Sequence, residues 1–107
     1  MLNISQVTNF DNLPIEGEYK IITLDPPAVK LGFCGDSQTI GKNIVLTIGG
    51  NEKIFEIGKS GIFEFQPEVW VNTSDDNDEE DKEIIVYVTE VKVPKDSIFT
   101  LDYCYYT

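Results

Sequence analysis

No stretch of this chain repeats its apolar residues at the i, i+3, i+4, i+7 spacing of an amphipathic helix, whereas short alternating runs recur along its length. Successive residues of a strand point to opposite faces, so alternation of this kind serves a sheet with one buried side. Gly, Pro, Asn and Asp punctuate the runs. Asn43-Ile44-Val45-Leu46-Thr47-Ile48 leads into Gly49-Gly50-Asn51-Glu52, which reads as a hairpin loop. Lys53 to Phe65 sets Gly58-Lys59-Ser60-Gly61 between two alternating runs and reads as a second hairpin. From Phe99 onward, Leu101, Tyr103 and Tyr105 share one face of a strand, and Tyr106 lies on the other.

Further strands are expected over Ile4–Phe10, Glu18–Leu24 and Val29–Phe33. The second of these should stop at Asp25-Pro26-Pro27, because proline has no N–H for the ladder. Glu83 to Val93 is the longest candidate, with Ile84, Val86 and Val88 on one side and Ile85 and Tyr87 on the other. A strand apolar on both sides needs two coverings, from a second sheet or from another subunit. About seven to nine strands without helices predict an all-β chain, a single-domain β-sandwich over residues 1–107 that is jelly-roll-like.

Charge narrows the partners. The formal net charge is −11, and all eight cations are lysines, scattered along the chain. Nucleic acid and anionic membrane surfaces are repelled by such a surface, and the forked arginine contacts to phosphate or guanine are missing. Asp75 to Glu83 concentrates seven acids against one lysine, so 74–83 is expected to be a solvated acidic loop. No apolar run is long enough to span a bilayer, and the first residues do not read as a secretory signal. Cys34 and Cys104 lack metal-site spacing, and two free buried thiols are expected.

Motifs that suggest chemistry fail on inspection. Gly58-Lys59-Ser60 would need a glycine at position 53 to be a phosphate-binding loop, and Lys53 stands there. The acidic loop has Glu80 where a calcium loop starting at Asp75 requires glycine, and Val86 where it requires glutamate. Without a histidine there is no Ser-His-Asp or Cys-His base. No enzyme, cofactor or metal is therefore expected. Trp70 and Tyr106 are the aromatic candidates for contact with a partner or a glycan. Ile84, Val86 and Val88 join them as candidate interface residues.

Gly58-Lys59-Ser60-Gly61-Ile62-Phe63-Glu64-Phe65 and the later Phe99-Thr100-Leu101-Asp102-Tyr103 resemble motifs of small β-domain structural proteins of tailed phages and prophages of Gram-positive gut bacteria. The resemblance covers roughly the C-terminal half, and the long acidic loop between the motifs departs from it. It implies a virion component of tail, baseplate, neck or head surface, assembled in the host cytoplasm with other copies of itself and other virion proteins. The alternative is a carbohydrate- or receptor-binding β-sandwich module.

Overall fold

The computed structural model describes residues 1–7, 13–66, 70–71, 83–84 and 86–107, the two short internal pieces by their backbone alone. Among the described residues eleven strands run in chain order: β1 Leu2–Val7, β2 Ile15–Glu16, β3 Tyr19–Ala28, β4 Lys30–Gly35, β5 Asn43–Ile48, β6 Asn51–Glu56, β7 Ile62–Phe65, β8 Trp70–Val71, β9 Glu83–Ile84, β10 Val88–Pro94 and β11 Phe99–Tyr106. One 3₁₀ turn, Ser37–Thr39, is the helical element among the described residues. Asp36 caps it by accepting from the Gln38 N–H, as a short acidic side chain at an N-cap does.

Two antiparallel sheets carry the fold. One has the order β1-β11-β4-β7 and the other β2-β3-β10-β5-β6, with β8-β9 as a separate pair. The ladders β1·β11, β3·β10, β4·β7 and β5·β6 join outermost strands to outermost and innermost to innermost. The chain is thus one long hairpin wrapped on itself. The further ladders β4·β11 and β5·β10 then knit its turns into two sheets. That is jelly-roll topology, the expected architecture.

The core lies between the sheets. Leu31 and Phe33 of β4 and Phe99 and Leu101 of β11 face Ile22 and Leu24 of β3, Ile44, Leu46 and Ile48 of β5, and Val88, Val91 and Val93 of β10. Phe33 and Phe99 stack with ring centroids 5.3 Å apart. At the β6–β7 side Phe55 packs on Phe63 and Phe65. Each strand gives alternate residues to this layer, as the pleat requires.

Three sequence expectations are corrected. Lys53–Phe65 is not a hairpin: β6 pairs with β5 and β7 with β4, so Gly58–Gly61 carries the chain from one sheet to the other. Buried Ile57 anchors the departure, its N–H donating to the Lys42 carbonyl and its carbonyl accepting from Gly41. β3 does not stop at Asp25 but continues through Pro26 and Pro27 to Ala28. Beyond Lys20 it has lost β2 as a neighbour, and the ladder to β10 skips from Thr23 to Ala28, so the prolines occupy positions with no ladder bond to donate. The longest strand among the described residues is accordingly β3, while 83–93 is divided into β9 and β10, with Val86 and Tyr87 outside either. The acidic residues 74–82 lie outside the described residues.

Candidate functional site

β1 is an edge strand, hydrogen-bonded to β11 alone among the described strands. Its register is unbroken, with Leu2 opposite Tyr106, Ile4 opposite Cys104 and Gln6 opposite Asp102. Partners across a ladder share a face, so these six side chains form rows on the outer surface of the four-stranded sheet. Asn3, Ser5 and Val7 alternate to the inner side, where Val7 packs against the core. Ile4 is 77% exposed, Leu2 50% and Tyr106 48%. Apolar side chains therefore cluster where the sheet ends, on a strand with no charged side chain.

The outer face of the five-stranded sheet is built differently. Lys92 on the central strand β10 reaches Glu52 of β6 at 2.7 Å and Glu16 of β2 at 3.2 Å. Its side chain is only 12% exposed and lies opposite Val45, which is buried although it points away from the core. Hydrogen bonds that it donates to Glu52 and to Glu16 raise the Lys92 ammonium above its ordinary pKa. A shallow cleft of about 340 Å³ beside it is lined by Tyr19, Val45, Ile54 and the three charged groups. The cation is already matched by two carboxylates, so this arrangement straps the two sheet edges to the centre. It offers neither an unpaired anion site nor an acid–base pair.

No group of three or more His, Cys, Asp or Glu side chains suited to hold a metal occurs among the described residues. Cys34 lies opposite Thr100 and Cys104 opposite Lys30 on neighbouring strands, four places apart along the ladder. Both thiols are free; Cys34 is exposed and Cys104 half-buried, so the expected burial is corrected. Both stand on the outer face of β4 and β11 rather than in the core.

The five predicted interface residues separate. Val88 is fully buried and Val86 packs against the core, so their apolar character is satisfied within one chain. Val88 is therefore not an interface residue: β3 and β5 flank it, and the opposite sheet covers it. Trp70 and Ile84 stand opposite each other in the β8·β9 ladder, and their side chains lie outside what is described. Tyr106 is half exposed and stands in the outer row with Leu2. Leu2 and Ile4 were not among the predicted contact residues. Their signal was a six-residue strand free of charge in a chain of net charge −11.

No family model, curated protein or solved structure matches the chain.

Proposed function

We propose that this chain is a non-enzymatic structural subunit of a tailed-phage particle and works by subunit–subunit assembly. The observation that carries the reading is the apolar row of Leu2, Ile4 and Tyr106 at the edge of a jelly roll. Soluble domains seldom leave aliphatic side chains in line along an edge strand, because such an edge recruits other strands. Jelly rolls serve in viral capsids and also in lectins, so the architecture by itself does not decide between them. The glycan reading lacks an open polar site at Tyr106, whose ladder neighbour on that face is aliphatic. The motif resemblance adds the particle context.

The strongly acidic surface favours protein partners over nucleic acid or anionic lipid. Mass spectrometry of purified tailed particles from hosts that carry this gene tests the reading. Recovery of the chain in stoichiometric amounts is expected. Its absence from particles, with the chain found free in the lysate, overturns the proposal.

A further inference from the structure

We propose that β1 is the seam of a two-fold dimer, pairing antiparallel with β1 of a second copy. This rests on the assembly reading above and names the surface that reading uses.

Edge strands of monomers are normally blunted by charge, proline, a bulge or shortness. The other sheet edges show such devices: β6 carries Glu52, Lys53 and Glu56, β7 is four residues long with Glu64, and β2 has two residues, one of them Glu16. β1 has none of them. It is six residues long, without proline or charge, in unbroken register with β11. Alternate residues of any such strand turn their N–H and C=O groups away from the single neighbour, toward an incoming strand.

Charge selects the occupant. Two copies of a chain with net charge −11 repel each other, so a self-contact must use a surface where charge is absent. The strand Leu2–Val7 and the flanking residues 103–107 of β11 and its end are that surface, since none has an acidic or basic side chain. Asp102, opposite Gln6, is the one acidic side chain in the outer rows of β1 and β11, and it lies one strand back from the edge. An antiparallel pair is self-complementary about an axis at Ile4, which sets Ile4 against its own copy, Leu2 against Gln6 and Asn3 against Ser5. The pairing joins both four-stranded sheets across the seam and sets the exposed Ile4 of each copy face to face, with each Leu2 beside the other copy's Gln6.

Sedimentation equilibrium of the full chain, with amide hydrogen exchange over a concentration series, tests the seam. The wild type is expected to form dimers, and amides of Leu2–Val7 should become protected as dimer accumulates. Ile4→Lys sets like charges face to face at the axis and is expected to weaken association at least about tenfold. Because Ile4 points into solvent, its thermal unfolding should match that of the control Ile98→Lys, made at an equally exposed loop residue on which association should not depend. A dimer indifferent to Ile4→Lys, with β1 amides that exchange freely, overturns the seam and leaves assembly through another surface standing. A wild type that stays monomeric at millimolar concentration also overturns the seam, while recovery from particles judges the assembly reading separately.

Discussion

Gly35 and Gly61 meet backbone to backbone where the chain crosses between sheets. The Gly35 N–H donates to the Gly61 carbonyl at 2.8 Å. A β carbon on Gly61 would sit 2.7 Å from the Gly35 carbonyl oxygen, and one on Gly35 would sit 2.5 Å from Thr39 Oγ1. Gly61 also has φ +73°, in the left-handed region that side chains disfavour. Neither position has room for a larger residue, and the obstacle at Gly61 is backbone rather than a movable side chain.

Gly61→Ala should therefore destabilise the fold by about 1–3 kcal/mol, from positive-φ strain and the carbonyl contact together. Urea unfolding followed by circular dichroism measures it. Gly58→Ala is the comparison, because a β carbon there meets nothing within 4 Å.

Leu101 is fully buried on the inner face of β11. Leu101→Ala leaves a cavity between the sheets and should cost about 2–5 kcal/mol. Ile4→Ala, on the strand paired with β11 but facing solvent, should leave monomer stability almost unchanged in the same titration.

Lys92 gives a dependence on alkaline pH. Its two glutamate partners raise the folded-state pKa above the ordinary 10.5. A raised value means that the contribution is complete below the unfolded pKa and disappears as pH climbs through the folded one. The melting temperature of the wild type should exceed that of Lys92→Met at neutral pH, and the gap should close above about pH 10.5. Scanning calorimetry of both proteins across that range cancels the titration of groups they share. A gap independent of pH would show that the lysine acts through its stem alone.

The two thiols should behave independently. Exposed Cys34 is expected to react with a thiol reagent ahead of half-buried Cys104 in the native protein. The melting temperature should not respond to added reductant, since their places in the ladder keep them apart.

Several elements were legible from residues alone. Gly49 and Gly50 both adopt positive φ in the two-residue turn between β5 and β6, where the sequence reading set a hairpin. Alternation along Phe99–Tyr103 indicated which side chains of β11 face the core. Gly58–Gly61 misled because period-two runs flanking glycines look alike whether the strands pair or part to opposite sheets. The distinction lies in contacts made with residues remote in sequence: Ile57 bonds Gly41 and Lys42, and Gly61 bonds Gly35. Pro26 and Pro27 misled for a related reason: a proline interrupts a strand only where a neighbour needs its N–H, and that depends on register. Val88 suggested a contact with another chain because strands on both sides, and a second sheet above it, are invisible to local pattern. The edge at Leu2 and Ile4 went unread because exposure is a property of neighbours rather than of composition.

The ladder between β1 and β11 carries a consequence for biosynthesis. A ribosome delivers Leu2–Val7 well before the strand that pairs with it, Phe99–Tyr106. For most of that interval the nascent strand is sticky and unclaimed, at elongation rates of roughly 5–20 residues per second for several seconds. Its want of charge makes it a natural client for holding chaperones, and depletion of these should lower yield more for the wild type than for Ile4→Lys.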